Sequence, residues 1–281
     1  MACWIRNDDR QIYYEDEGKG QPFVFLHDWA GKADAFTPAC DRLKAHFRCI
    51  RYDLRGHHRS GSSPDRPPEL KDLAKDLAEL MNRLNVRKPI LIGWALGASV
   101  ILEYVRRYGE SGLQGLVLVD MSPCVLRKEN WPYAWKHGTY SEADLSEDMK
   151  RMQTNLSAFL FRHFRLMRPQ ASEKELAQRV HEVCESCDAA ALRSLYESVC
   201  RADYRPLLEK LKRPAAVFGA DGSAFPEGLG DYYAAQIRSS FMKVRFDRAD
   251  HDLVRLYPDK FAKALEAFAV FMGSFQPQEE K

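Results

Sequence analysis

The segment that most constrains this chain is a glycine-flanked turn at residues 93–97, with the sequence Gly-Trp-Ala-Leu-Gly. The apolar run at 89–92 before it predicts a strand, and the pattern of 98–108 after it predicts a helix. A strand that passes through Gly-x-Ser-x-Gly into a helix presents its third residue at the tip of a tight turn, where a serine acts as nucleophile. Here the third residue is Ala95, which has no hydroxyl group and cannot attack a carbonyl carbon.

Strand-like and helix-like segments alternate along most of the chain. Helical spacing of apolar residues predicts helices over 36–47, 70–84 and 259–272, and the glycines at 18–20 are expected to close a first hairpin. Apolar or alternating runs predict strands at 10–15, 23–26, 47–52, 113–120, 215–218 and 242–246. Strands that alternate with helices imply a mainly parallel sheet with helices on both faces.

The strand signals stop between about Ser122 and Asp203. This interval is helical in pattern, rich in Trp, Tyr and Phe, and too long for a simple connection. We expect it to be a helical cap that lies over the carboxyl ends of the strands, where such sheets bind ligands. The predicted division is a core of residues 1–121 and 206–281 with a cap of residues 122–205.

Charge and composition narrow the classes of partner. Lys and Arg number 42 and Asp and Glu number 40, a net charge of +2, so nothing favours nucleic acid or another polyanion. The first ten residues carry charges where a signal peptide needs an apolar core, and no run approaches the ~20 apolar residues of a membrane helix. We therefore expect a cytoplasmic protein with reduced cysteines, no membrane partner, and no metal or organic cofactor. Cys184 and Cys187 are expected to be ordinary helix positions.

Five segments, taken in chain order, resemble motifs of the α/β-hydrolase superfamily, and of its capped serine esterases in particular. Residues 26–31 resemble its His-Gly-x-x-Gly turn, 52–60 its Asp-x-Arg-Gly-His-Gly-x-Ser turn, 93–97 its nucleophile elbow, and 119–123 its Val-Asp-x-x-Pro strand exit. His251 in Asp250-His251 stands where the family carries its histidine. The resemblance covers nearly the whole chain and implies the α/β-hydrolase fold: a mostly parallel eight-stranded sheet, helices on both faces and an inserted helical cap.

The resemblance also implies a role for four positions. Ala95 stands at the nucleophile position, where serine is expected, and His251 would be the general base. The backbone N–H groups of Leu96 and Trp29 would form an oxyanion hole, which does not depend on the missing serine.

The acid that orients the histidine has two candidates. Many members of the family place it after the strand that here ends at 218–219, but their pattern puts Gly222 at that position and Asp221 one residue early. Other members take the acid from the end of the preceding strand, which here is Asp120. We favour Asp120 over Asp221.

The substrate pocket is expected to have an aromatic wall. Trp94, beside the turn, and Trp131, in the predicted cap, are the candidate substrate-binding residues. An aromatic cleft suits a small, mainly apolar substrate.

Three further departures from the family pattern accompany Ala95. Asp28, His58 and Asp250 each replace a glycine. Glycine often marks a position with positive φ, although Asp tolerates the left-handed region. A carboxylate at the mouth of the site would repel anionic substrates or raise the pKa of the histidine.

Three accounts of Ala95 are open. The first is a serine hydrolase for carboxylic ester or thioester bonds, deliberately inactivated at one side chain. The second is a natural ligand-binding protein without turnover. The third is a cofactor-free dioxygenase of the same fold that uses a His–Asp pair. The retained Gly93, Gly97 and His251 favour the first account, and the three other departures favour the second.

Overall fold

A single sheet organises the computed structural model, which describes residues 3–7, 10–62 and 65–273. Within this described part the sheet has eight strands in the order β1-β2-β4-β3-β5-β6-β7-β8. The strands are β1 (Cys3–Asn7), β2 (Arg10–Glu17), β3 (Gln21–Leu26), β4 (Phe47–Tyr52), β5 (Ile90–Trp94), β6 (Gly115–Val119), β7 (Ala215–Gly222) and β8 (Phe241–Asp250). Strands β3 to β8 pair in parallel, whereas β1 and β2 pair antiparallel. This is the α/β-hydrolase fold that the sequence predicts.

The central strands are apolar because they are covered on both faces. Every residue of β5 and β6 is buried, as expected for parallel strands between two helical layers. The covering helices are α1 (Thr37–Leu43), α2 (Leu70–Arg83), α3 (Leu96–Tyr108) and α12 (Pro258–Phe271). Helix α2 packs on α3, and α1 packs on α12. The predicted helices at 70–84, 98–108 and 259–272 are confirmed to within about two residues at each end.

The predicted first hairpin is wrong in its pairing. Strand β2 pairs with β1 and β4, and β3 lies on the far side of β4. Gly18 and Gly20 do adopt positive φ, but their turn packs on the start of β4, where a Cβ on Gly18 would lie 2.2 Å from the carbonyl oxygen of Phe47. The glycines therefore let the chain cross β4 closely rather than fold back on β2.

A run of helices separates β6 from β7. These are α4 (Trp135–Gly138), α5 (Glu142–Thr154), α6 (Leu156–Met167), α7 (Glu173–Ser186), α8 (Ala189–Arg201) and α9 (Arg205–Leu208). The two ends of this helical segment meet, because Cys124 and Asp203 form an antiparallel bridge and Tyr204 N donates to Pro123 O over 2.8 Å. Helix α7 contains Cys184, as predicted, but it ends at Ser186, so Cys187 is the extended residue after the helix and not a helix position.

The remaining helices follow the last two strands. Helix α10 (Leu229–Gln236) connects β7 to β8, and α11 (Leu253–Leu256) begins three residues after the end of β8. Over the described residues, none of the helices has the length and apolar character needed to cross a bilayer.

Candidate active site

Ala95 occupies a strained turn between β5 and α3. Its backbone has φ 48° and ψ −107°, a combination that a residue with a side chain rarely adopts. Two hydrogen bonds hold the turn: Ala95 N donates to Val119 O over 2.9 Å, and Gly97 N donates to His27 O over 3.1 Å. The neighbouring strand and loop therefore impose a conformation that an alanine alone does not favour.

The two flanking glycines are required by close backbone approach. A Cβ on Gly93 would lie 2.4 Å from the carbonyl carbon of Gly97, and a Cβ on Gly97 would lie 2.2 Å from the carbonyl oxygen of Leu26. Such contacts admit no side chain. The whole turn is therefore intact apart from the side chain at its tip.

Asp120 and His251 meet at the carboxyl edge of the sheet. Asp120 follows β6 directly, with φ 43°, and His251 follows β8 directly. Nδ1 of His251 donates to Oδ2 of Asp120 over 2.7 Å, and the exposed fractions of the two side chains are 11% and 3%. Ser223 Oγ also donates to Oδ2, over 2.9 Å, and Ala220 N to Oδ1, over 3.3 Å. These donors fix the carboxylate under the imidazole ring.

The electrostatic surroundings favour the protonated form of His251. Burial by itself lowers the pKa of the imidazole, but the hydrogen bond to Asp120 and the charges of Asp120, Asp28 and Asp252 outweigh burial. The pKa of His251 is therefore raised above its ordinary value.

Asp221, the other candidate acid, lies elsewhere. It is exposed at the end of β7, where it is paired with Arg245 and accepts a hydrogen bond from Arg248 N. The Arg245 side chain lowers the pKa of this carboxyl group. The structure thus brings Asp120, and not Asp221, to His251.

Two backbone N–H groups are available beside the turn. Leu96 is the first residue of α3 and Trp29 lies in the loop after β3, and no acceptor among the described residues meets the backbone N–H of either. The Trp29 loop is held by His27, whose Nδ1 donates to Asp28 O over 2.8 Å and whose Nε2 accepts from Leu54 N over 2.9 Å. Burial lowers the pKa of His27 to about 4, so it shapes the loop as a neutral ring.

A largely apolar cavity opens above the turn. The space between its walls is about 750 Å³, part of which is open to solvent. Ala95, Leu96, Trp29 and His251 all border it, and so does Trp94, which donates its indole N–H to His251 O over 3.0 Å. The helical segment contributes Trp135, His163, Phe164, Met167, Arg168, Arg179, Tyr196, Val199 and Cys200.

Trp131 is not part of this cavity, and the structure corrects the expectation that it contacts substrate. Its indole N–H donates to Cys124 O over 2.8 Å, and its ring packs edge-on against Tyr133 and Tyr232 in a separate apolar cluster. Four residues farther along the chain, Trp135 borders the cavity instead. The two side chains diverge at this point of the helical segment.

The three residues that replace glycines differ in backbone conformation. His58 adopts φ 43°, so it takes up a backbone strain that glycine would avoid. Asp28 and Asp250 are not among the described residues with positive φ, so neither position requires the left-handed conformation that favours glycine. The negative charge of Asp28 is compensated by two arginines, since Arg179 Nη2 lies 2.9 Å and Arg255 Nη2 3.7 Å from its carboxylate oxygens. The expected repulsion of anionic substrates by Asp28 is therefore largely cancelled.

Sequence patterns did not find Arg179, His163 or Tyr196 in the cavity wall. All three belong to helices of the segment between β6 and β7, whose spacing shows one apolar side without showing what that side covers. The partner of Arg179, Asp28, lies 151 positions away in the chain. No local signal connects residues that distant.

Fold and site together define an α/β hydrolase, and the chain belongs to the alpha/beta hydrolase family, whose family model matches residues 23–264. It is 27% identical to the pimeloyl-(acyl-carrier protein) methyl ester esterase of Chromobacterium violaceum over 255 residues, 90% of this chain and 96% of that protein. It is 34% identical to a non-heme chloroperoxidase of Kitasatospora aureofaciens over 134 residues, 46% of this chain and 47% of that protein, so this match spans about half of that relative. In fold it resembles an esterase from Exiguobacterium antarcticum, with a TM-score of 0.85 at 20% identity, covering 96% of this chain and 100% of that one.

Proposed function

We propose that this protein has the active site of a serine-type hydrolase for carboxylic ester or thioester bonds in a small, mainly apolar substrate, with Ala95 in place of the nucleophile. The observation that carries the proposal is the strained backbone of Ala95, at φ 48° and ψ −107°, beside a cavity that His251 also borders. A turn held in this conformation, with both glycines intact, is the device that presents a nucleophile. The esterase among the relatives supports ester chemistry.

In a form with serine at position 95 the roles are as follows. The serine hydroxyl attacks the carbonyl carbon while His251 takes its proton, and the N–H groups of Leu96 and Trp29 hold the oxyanion. His251 then protonates the leaving group, and a water molecule, deprotonated by His251, releases the acid from the acyl-enzyme. Asp120 holds the imidazole in the required tautomer throughout.

In the present chain this cycle stops before its first step. No oxygen nucleophile stands at position 95, so we expect very slow turnover or none. Substrate binding is retained, because the cavity and the two N–H groups do not need the hydroxyl. We further propose that residues 122–205 form the cap over this site, with the core made of 1–121 and 206–281, since the ends of the helical segment meet between Cys124 and Asp203.

Restoring the nucleophile tests the proposal. Ala95→Ser should raise the hydrolysis of p-nitrophenyl esters by several orders of magnitude, and assays over several acyl lengths would define the preferred substrate. The matched control is Ala95→Ser with His251→Ala, which keeps the hydroxyl but removes its base and should return to background. A rise of less than about tenfold in the single variant would refute a silenced hydrolase.

The intact His251–Asp120 pair beside an alanine favours a second candidate, a cofactor-free dioxygenase. In that case His251 would remove a proton from a heteroaromatic substrate, and O₂ would react with the resulting anion. The alanine form would then consume O₂ with such a substrate, and His251→Ala would abolish the consumption. A protein that only binds a ligand would show affinity for it but no turnover, both with Ala95 unchanged and after Ala95→Ser.

A further inference from the structure

The side chain of Trp29 anchors the loop after β3 to the helical segment between β6 and β7. Its indole N–H donates to Leu192 O, in α8, over 2.9 Å, and only 8% of the residue is exposed. Leu192 lies inside α8, so its carbonyl oxygen also accepts the ordinary hydrogen bond of the helix. The contact therefore satisfies the buried indole, and it joins two residues that are 163 positions apart in the chain.

Aromatic rings from two helices of the segment surround the same indole. The centroid of the Trp29 ring lies 5.3 Å from that of Tyr196, on α8. It lies 5.0 Å from the ring centroid of His163 and 6.2 Å from that of Phe159, both on α6. All three contacts are edge-to-face, an arrangement that aromatic pairs prefer. Two helices of the segment therefore fix the direction of the Trp29 side chain.

The residue before Trp29 has a second anchor in the same segment. Asp28 is paired with Arg179, on α7, at 2.9 Å. The core holds the loop through its backbone, since Ala30 N donates to Nε2 of His57 over 3.2 Å. The loop is thus held on one side by the core and on the other by the helical segment.

The N–H of Leu96 is held differently. Leu96 is the first residue of α3, and the turn before it is fixed to the core by the hydrogen bonds of Ala95 N to Val119 O and of Gly97 N to His27 O. A weaker anchor at Trp29 would therefore disturb one of the two N–H groups and leave the other in place.

We propose that the Trp29 side chain is a positioning group, through which the helical segment sets the place of the Trp29 backbone N–H in the oxyanion hole. Such a donor acts only within a narrow range of distance from the oxyanion, about 2.7–3.1 Å. A displacement of about 1 Å can reduce the rate about 10²-fold. This role of the N–H rests on the proposed function, but the anchoring of the loop can be measured without turnover.

The first measurement uses the chain with Ala95 unchanged and follows amide hydrogen exchange by mass spectrometry. Trp29→Phe keeps an aromatic ring but cannot donate to Leu192 O. We expect peptides that contain residues 27–31 to exchange about tenfold faster, because the loss of one buried hydrogen bond makes local opening more frequent.

Trp131→Phe is the matched control. Trp131 also donates its indole N–H to a carbonyl oxygen, that of Cys124, over 2.8 Å, and it is 4% exposed. Cys124 O keeps a second donor, Ser122 Oγ at 2.8 Å, just as Leu192 O keeps its helical one. This substitution removes the same chemical contact in a separate apolar cluster, so the exchange of residues 27–31 should not change.

Phe159→Leu weakens the anchor from the other side without altering the loop itself. Phe159 packs on Trp29 and is not among the residues that border the cavity. The loss of one edge-to-face contact should speed the exchange of residues 27–31 by about threefold. Thermal unfolding of all three variants shows whether each is folded, so the anchor stays testable if Trp29→Phe does not fold.

The second measurement uses the Ala95→Ser form and separates positioning from wall contact. Trp29→Phe should lower kcat by about tenfold and change KM by less than about threefold, because an oxyanion donor acts mainly in the transition state. Trp131→Phe should leave both constants within about twofold of the parent. A side chain that served only as cavity wall would raise KM instead.

Three results would overturn the inference: unchanged exchange of residues 27–31 in both Trp29→Phe and Phe159→Leu, an equally large increase in Trp131→Phe, or a raised KM with unchanged kcat in Trp29→Phe. If Ala95→Ser restores no hydrolysis, the proposed function fails, and the exchange rates still decide whether the helical segment anchors the loop. The two failures are therefore distinguishable.

Discussion

Nδ1 of His251 lies 2.7 Å from Oδ2 of Asp120, although 131 positions separate the two residues in the chain. The contact exists because both follow strands of one parallel sheet, β6 and β8, whose carboxyl ends meet at the same edge. Asp221 lies near the end of the intervening strand, β7, but its carboxylate is paired with Arg245. The imidazole is therefore in direct contact with the carboxylate of Asp120 and not with that of Asp221. Substituting each aspartate separately can show which of the two acts on His251.

The first prediction concerns that acid. In the Ala95→Ser form, Asp120→Asn should lower kcat by about 10³–10⁴-fold, because an amide cannot hold the imidazole in the tautomer that accepts the serine proton. Asp221→Asn is the matched control at the neighbouring strand end and should stay within a few-fold of the parent. Steady-state assays with one p-nitrophenyl ester measure both effects. Equal small effects would mean that neither carboxylate is the acid.

The second prediction concerns pH and needs no catalysis. The folded-state pKa of His251 is raised above the value of about 6.5 expected in the unfolded chain, so the stabilisation from its charged form is fully present below that value. It is lost as the pH rises through the folded-state pKa. Asp120→Asn should therefore cost more free energy of unfolding at pH 6 than at pH 9, as measured by urea denaturation at both values.

Asp221→Asn serves again as the control for this pH dependence. Its partner, Arg245, stays protonated over the whole range, so the effect of the substitution should be the same at pH 6 and pH 9. If the effect of Asp120→Asn were equally independent of pH, the charged pair with His251 would not exist in solution.

The third prediction concerns backbone strain. Ala95→Gly should stabilise the protein by about 1 kcal/mol, because glycine adopts positive φ without the penalty that alanine carries. For a protein of this size that corresponds to a rise in Tm of roughly 2–4 °C. Ala98→Gly, in the first turn of α3, should instead lower the Tm, because glycine disfavours a helical position and the substitution removes a buried methyl group. Calorimetry that showed both substitutions to be destabilising would contradict the strained turn.

The positions around the turn at Ala95 could be predicted because each comes directly after a strand that the sequence shows. Ala95, Asp120 and His251 all follow apolar or alternating runs, and a parallel sheet brings the ends of such runs together. The pairing of β2 could not be predicted in the same way. Alternation shows that a strand exists, but the neighbour it takes depends on contacts distant in the chain.

The wall formed by the helical segment was beyond prediction for a related reason. Trp131 and Trp135 are both tryptophans and lie four positions apart in the chain. The sequence does not show that only Trp135 borders the cavity. His163 and Arg179 are polar residues on amphipathic helices, where a solvent-exposed position is the ordinary expectation. Their burial is set by how the segment docks on the core, which no local pattern contains.

The fourth prediction concerns the linkage between the core and the helical segment. The exposed fractions of the Asp28 and Arg179 side chains are only 7% and 18%, so Asp28→Asn leaves a poorly solvated guanidinium without its nearest anion. We expect a loss of about 3 kcal/mol in the free energy of unfolding. Adding Arg179→Met removes the unpaired charge and should recover part of that loss. Glu142→Gln, which breaks the exposed pair with Arg201, should cost less than about 1 kcal/mol in the same urea denaturation series. Equal costs for Asp28→Asn and Glu142→Gln would show that the Asp28 pair is solvated and does not tie the helical segment to the core.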